Sequence, residues 1–289
     1  MLQSRPLMSM DTALRAITDD GAFRVITIRS TETVRGAIAA QGVEKDVARV
    51  LADLLTGSIL VRESMAPDLR VQLILQPDAK MRLVADSHPG GIARGLVQMA
   101  QGANLRFGHQ SVLQVARTLH NGALQQGVVQ VTEEGSVSTA LMRYMALSEQ
   151  VVSMIAVGCH TDADGHVLEA GGYLVQLLPE VVTGPLMVMT ERLKDFEDIV
   201  PLLAAGKADP ATLLGELLYG MPYTVVGEDK SAFGCTCDET RLAATLASLP
   251  REEIESMIAD GHVIDASCDY CSKTYQFAPE RLRGLLARS

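Results

Sequence analysis

Two short cysteine pairs, Cys235-Thr236-Cys237 and Cys268-Asp269-Tyr270-Cys271, are the residues whose type and spacing most directly promise chemistry. They place four of the chain's five cysteines within 37 residues, whereas the 234 residues before them hold only Cys159. Each pair can present two thiolates from a single turn, and the 30 residues between them can fold back to bring both pairs to one tetrahedral ion. Zinc is the leading candidate, and iron or an iron–sulfur cluster accepts the same ligand set. The non-metal reading is two pairs of buried or disulfide-bonded cysteines. The concentration of cysteine in this one stretch argues against it.

The elements that must position these sulfurs are legible in the same tail. Asp238 or Thr240 can cap a helix running through Leu249, and Pro250 begins a second helix, with Glu252 and Glu253 near its positive end and Gly261 beyond it. Val263–Ala266 and Tyr275–Phe277 flank the second cysteine pair as a hairpin, and Pro279 starts a closing helix. The tail is poor in core residues, so a metal is expected to supply much of its folding free energy, on the order of 10 kcal/mol for a structural zinc.

Upstream, periodicity alternates between helix and strand. A strand is expected over Phe23–Arg29, followed by a helix over Thr33–Gln41 with Ser30 and Thr31 as caps. Val47, Val50, Leu51, Leu54, Leu55 and Ile59 recur at three- and four-residue steps and predict a helix over Lys45–Leu60. Leu69 to Leu75, Met81–Ala85, the stretch through Leu96 and Val97, Val112–Ala116 and Val128–Val131 read as strands. Ser136–Met154 reads as one long helix, and His166–Leu168 and Tyr173–Leu178 as two strands on either side of Gly171 and Gly172. The expected fold is therefore an α/β (α+β) domain over 1–180 with a mixed or antiparallel sheet. Residues 181–231 predict helices, one capped by Thr190 and one begun by Asp209-Pro210, and read as a connector that does not extend the sheet. Residues 232–289 form the four-cysteine domain.

Charge narrows the function. The formal net charge is -10, and residues 230–289 carry seven Lys or Arg against nine Asp or Glu, a net of -2, so the tail is no basic reading head and nucleic acid is disfavoured as a partner. No apolar run has the length of a signal core or a membrane span, which makes a cytoplasmic location, without membrane partners, the expectation. In that reducing compartment metal or redox chemistry explains close cysteines better than a permanent disulfide scaffold. Catalysis is not expected. Tyr144, Ser148 and Glu149 read as a helix junction, Cys159 beside His160 as an incidental buried thiol, and the six histidines form no HExxH helix. Arg241 could fasten the first cysteine pair by contacts to backbone or to acidic residues, but a surface ion pair is the expectation, and Tyr275 and Phe277 are expected to pack the small tail domain.

Several motifs occur together in order: Cys235-x-Cys237, then Arg241, an acidic helix, and Cys268-Asp-Tyr-Cys271-Ser-Lys-x-Tyr275-x-Phe277. Upstream stand Tyr144-Met-Ala-Leu-Ser148-Glu149-Gln150 and Ala170-Gly171-Gly172-Tyr-Leu-Val-Gln176-Leu-Leu-Pro179. The chain resembles the redox-regulated 33 kDa heat-shock protein family of molecular chaperones over nearly its full length, most clearly over residues 140–289. The resemblance implies a large N-terminal α/β domain for client binding and dimerisation, a helical redox-sensitive linker and a C-terminal zinc domain. It implies one Zn2+ held by Cys235, Cys237, Cys268 and Cys271 in a reduced, inactive state. Oxidation would join Cys235 to Cys237 and Cys268 to Cys271 and expel the zinc. The linker and tail would then unfold, and a homodimer would hold unfolding or oxidatively damaged client proteins without ATP. The alternative is a constitutive zinc-stabilised protein-interaction module with no switch. From spacing alone, the CxxC pair is expected to oxidise before the tighter CxC pair. Two departures stand out: the Gly102–Gly127 region, where Leu124-Gln125-Gln126-Gly127 lacks the tyrosine that members often show before this glycine, and Cys159, outside the motif.

Overall fold

The structure, a computed structural model, describes residues 10–65, 69–179 and 183–286, with the backbone alone at 285 and 286. Residues 1–9, read for a signal segment, and residue 180, the expected end of the first domain, lie outside the described residues. The chain divides into two compact units, Met1–Phe233 and Gly234–Ser289.

The first unit is built on β1 (Asp11–Thr18), β2 (Phe23–Arg29), α1 (Thr31–Gln41), α2 (Lys45–Glu63), β3 (Val71–Asp78), β4 (Met81–Ser87) and β5 (Ile92–Met99). It continues with β6 (Val112–Thr118), β7 (Leu124–Gln130), α3 (Val137–Tyr144), β8 (Ser153–Thr161) and β9 (Val167–Leu177). Next come α4 (Thr183–Leu193), α5 (Val200–Ala204), α6 (Pro210–Leu217) and β10 (Tyr223–Phe233). One ten-stranded sheet runs β7-β6-β3-β4-β5-β10-β1-β2-β9-β8. Its pairings are antiparallel except at the joint between β5 and β10, where Ala232 and Phe233 lie parallel to Ile92 and Ala93. The sheet is therefore mixed, within the fold class the sequence predicts.

Both faces of the β1-β2-β9-β8 side are covered. On one, α2 buries Leu51, Leu54, Leu55, Ile59 and Leu60 against Ile26, Ile28 and Leu174. On the other, Met189, Ile199, Leu203, Leu213, Leu214 and Leu217 of the segment from α4 to α6 cover Phe23, Val25, Tyr173 and Val175. This is why β2 is buried at four consecutive positions, Val25 to Ile28, instead of at every second one. The start of α1 is held by a buried carboxylate from another strand. Asp11 of β1 accepts from the Thr33 amide at 2.6 Å and its hydroxyl at 2.7 Å, and from the Glu32 amide at 3.2 Å, while Ser30 makes no side-chain cap.

Five sequence expectations change. The helix predicted over Ser136–Met154 ends at Tyr144, passes through one π turn at Met145–Glu149, and stops at Gln150, whose φ of 58° is left-handed. Val151 and Val152 then lead into β8, a strand the sequence reading does not contain. The two strands around Gly171 and Gly172 are one, β9. Added Cβ atoms at these glycines would lie 2.6 Å from the carbonyl oxygens of Ile28 and Ala156, so the glycines permit close strand approach where they read as a break. Thr190 lies inside α4, bonding to the Leu186 carbonyl at 2.8 Å, and caps nothing. Finally, residues 223–233 do extend the sheet, because β10 enters its middle between β5 and β1.

Beside that joint, Gly90 and Gly91 have nearly the same backbone, φ 79° and 81°, but a Cβ at Gly91 would lie 1.9 Å from the Lys230 carbonyl oxygen of β10, whereas one at Gly90 meets nothing. Gly90→Ala is expected to cost about 1 kcal/mol for the left-handed backbone. Gly91→Ala adds a collision with backbone and should cost about 1–3 kcal/mol more. Urea midpoints of the two variants measure the difference, and equal midpoints would show that the approach of β10 to this turn is not tight.

Candidate metal centre

The second unit contains α7 (Glu239–Leu246), α8 (Arg251–Ala259), β11 (Ile264–Ser267), β12 (Thr274–Phe277) and α9 (Pro279–Leu286). The two strands pair antiparallel from Ile264↔Phe277 to Ser267↔Thr274, and the turn between them carries Cys268 and Cys271. That turn is closed by its own backbone. Ser272 N donates to the Cys268 carbonyl at 2.8 Å with Ser272 in the left-handed region at φ 58°, and Cys268 N donates to the Lys273 carbonyl at 2.9 Å. Amides of Tyr270 and Cys271 point at the Cys268 sulfur, and that of Lys273 at the Cys271 sulfur. Such donors favour a thiolate there.

Cys235 and Cys237 precede α7. Asp238 caps this helix by accepting from the Arg241 amide at 2.8 Å, as the sequence suggests. The Arg241 guanidinium turns back to donate to the Thr236 carbonyl at 2.8 Å and the Thr236 hydroxyl at 2.7 Å, while its separation from Asp238 is 3.8 Å. It thus clamps the middle residue of the first pair at hydrogen-bond distance and, more loosely, makes the expected exposed ion pair with Asp238. Phe277 is fully buried as expected, beside Ala243, Ile254 and Leu282. Tyr275 does more than pack: its hydroxyl donates to the Cys237 carbonyl at 3.1 Å and lies 3.5 Å from the Cys237 sulfur.

The four sulfurs converge. All lie within 4.8 Å of one another, with Cys235 to Cys268 at 3.7 Å and Cys237 to Cys271 at 3.4 Å. A regular tetrahedron of sulfurs about 2.3 Å from a central zinc has edges of about 3.8 Å, so this arrangement fits a four-thiolate ion with only small adjustment. Burial first, and then the neighbouring sulfurs, push the Cys268 and Cys271 thiols above their ordinary pKa. A cation reverses that balance, because coordinated thiols are deprotonated. The apolar core of this unit comprises four buried side chains among the described residues, far fewer than an independent domain ordinarily needs.

The other groups weighed in the sequence do not form a reactive site. Cys159 is 4% exposed in β8, and burial, with the neighbouring Asp53 carboxyl, pushes its thiol up to about 12. As its neighbour in a strand, His160 projects to the opposite face, so the two do not make a nucleophile and base. Tyr144 donates to Glu149, which also pairs with Arg117 at 2.9 Å, fastening the π turn to β6. Asp162, Asp164 and His166 cluster in the turn before β9, where Asp162 accepts from the amides of Asp164 and His166 at 3.0 and 2.8 Å and closes the loop. Among the described residues no helix is long and apolar enough to cross a membrane.

Comparison with known proteins agrees with this architecture. A family model described as "Hsp33 protein" matches residues 11–278. The "33 kDa chaperonin" of Syntrophotalea carbinolica is 29% identical over 288 residues, covering 96% of this chain and 99% of that protein. That of Listeria innocua is 27% identical, covering 95% and 98%. The crystal structure of the 33 kDa chaperonin (heat shock protein 33 homolog) of Thermotoga maritima superposes with a TM-score of 0.82 at 25% identity, over 97% of this chain and 99% of that one.

Proposed function

Because the chain belongs to the Hsp33 family of chaperones, we propose that it is an ATP-independent holdase, not an enzyme, whose activity is switched by oxidation at its four-cysteine centre. In the reduced protein Cys235, Cys237, Cys268 and Cys271 hold one Zn2+, which supplies folding free energy to residues 234–289. The observation that carries this reading is the convergence of four sulfurs in a unit whose own core is four buried side chains. A fold so dependent on its ion is lost with it.

The switch is a two-electron oxidation of each pair. With hydrogen peroxide, an S–S bond forms as the O–O bond breaks, and the two oxygens leave as water after taking up two protons. The disulfides are Cys235–Cys237 and Cys268–Cys271, as the family resemblance implies. Proximity does not choose between pairings, since every sulfur lies within 4.8 Å of the others, but chain spacing favours the partners within each turn. Zinc then leaves. The linker from α4 to α6 follows, opening the apolar face of Phe23, Val25, Tyr173 and Val175 to unfolding clients and to a second copy of the chain. The protein works in the cytoplasm, where a reducing poise keeps the resting state metal-bound.

Metal content and disulfide mapping under graded peroxide test this. One zinc per chain, without the visible absorption of iron–sulfur, should be present in the reduced protein and should depart as Cys268–Cys271 and then Cys235–Cys237 form. Retention of zinc through full oxidant exposure would instead support a constitutive zinc-stabilised interaction module. Formation of Cys235–Cys237 first would overturn the order.

A further inference from the structure

The hydroxyl of Tyr275 touches both the carbonyl oxygen and the sulfur of Cys237, at 3.1 and 3.5 Å, yet it has one proton to donate. With a protonated thiol, the arrangement satisfies everyone: the S–H donates to the hydroxyl and the hydroxyl donates to the carbonyl. A metal-bound thiolate has no proton, so the tyrosine proton becomes the donor that sulfur can accept. Swinging between these acceptors requires only rotation about the C–O bond. The position of the ring is fixed. Tyr275 lies on β12 opposite Ala266 of β11, packs on the small core of Phe277 and Ile254, and carries the Lys273 ammonium 4.9 Å above its ring centre. A cation over the ring draws electron density from the phenol and strengthens the hydroxyl as a donor.

We propose that Tyr275 is a positioning residue for the metal centre: its hydroxyl hydrogen-bonds the Cys237 thiolate while the ion is held, with Lys273 reinforcing it. This rests on the reading of the four cysteines as metal ligands. The hydrogen bond lowers the energy of the sulfur lone pairs, which tightens the centre by fixing the ligand and slows attack of oxidant on that sulfur. Once Cys237 is in a disulfide its sulfur is a poor acceptor, and this hydrogen bond does not favour the oxidised state. Tyr275 thereby selectively stabilises the reduced, loaded state and sets how much oxidant is needed to leave it. It also favours early oxidation at Cys268–Cys271, because it shields a member of the other pair.

The test uses the full-length reduced protein loaded with Co2+ as a spectroscopic probe, and with Zn2+ for release kinetics. Tyr275→Phe keeps the ring and removes the donor. Its sulfur-to-cobalt charge-transfer band is expected to move to lower energy, its affinity for either ion to fall about 10–100-fold as for other lost ligand-orienting hydrogen bonds, and its zinc release under peroxide to accelerate. Lys273→Met should shift all three in the same direction by less. If Tyr275→Phe matches wild type in band energy, and in affinity and release rate to within about twofold, the role of Tyr275 falls while the metal reading stands. If wild type takes up neither ion, both fall. Should Tyr275→Phe fail to take up cobalt at all, 3-fluorotyrosine at position 275, a stronger donor of similar shape, decides: its band must move to higher energy, and an unmoved band overturns the proposal.

Discussion

Cys268→Ser is expected to abolish zinc binding at ordinary free-metal concentrations and to leave residues 234–289 without a stable fold, while the sheet of the Met1–Phe233 unit persists. Cys268 is the most enclosed of the four cysteines, 9% exposed, and its backbone closes the turn between β11 and β12 through bonds to Lys273 and Ser272. A serine hydroxyl at that position is a poor ligand for zinc, and the three remaining sulfurs are too few to close a four-thiolate site. The loss is on the order of 10 kcal/mol of binding that in such domains is folding free energy. Burial of Ala243, Ile254, Phe277 and Leu282 does not make up that loss, because it is already offset by the conformational entropy of ordering the unit. Hydrogen exchange resolved by segment, together with zinc content, measures the effect. Protected amides throughout α7 and α8 in a zinc-free Cys268→Ser protein would show that the unit folds without its ion.

The second large effect belongs to the first unit. Asp86 of β4 is fully buried and takes Arg70 at 2.6 and 2.8 Å, Arg94 at 2.9 and 3.0 Å and His88 at 2.9 Å. Burial alone opposes its ionisation, but the bonds from His88 and Arg70 outweigh it and hold the carboxyl well below the usual range. Asp86→Asn leaves two guanidinium groups facing a neutral amide and is expected to cost about 3–5 kcal/mol, as for other buried pairs broken on one side. The sign of the pH dependence follows from the depressed value. The stabilisation is complete above the unfolded carboxylate value, near 4, and is lost as pH falls below it toward the lower folded value. Wild type should therefore lose stability steeply below about pH 4, and Asp86→Asn should start lower and show a shallower acid slope. Parallel acid slopes would show that Asp86 does not carry this linkage.

How much was legible in the sequence depended on what each element relies on. Helix α2 was readable because its apolar residues face a sheet at three- and four-residue steps. Strand β10 was not, because its centre is Glu228-Asp229-Lys230 and its outward positions are exposed. It holds its place by backbone pairing on both edges and through Asp229, which meets Arg15, itself bound to buried Glu63. No pattern in a polar stretch announces partners 214 residues away. Around Tyr144 the sequence kept a helical rhythm through Val152, but tertiary demand won: Val151 and Val152 are needed at the entrance to β8, and a π turn with left-handed Gln150 makes the exit. At the metal centre the four cysteines were plain because the chain uses so few elsewhere. Arg241 could be read only as far as a choice between fastening the first pair and a surface ion pair, and it does both; the Tyr275 hydroxyl was not legible, since a tyrosine on a short strand reads as packing. The role of Tyr275 arises only when the two turns meet.

The central claim is that loss of the ion is the event that turns client holding on. The most direct measurement is a single peroxide titration of the reduced, zinc-loaded protein in which zinc release and suppression of client aggregation are followed in the same sample. The account predicts that the two curves rise together, and that returning the protein to reductant and zinc reverses both. Client holding that is already full before any zinc is released, or zinc release that leaves holding unchanged, would contradict it.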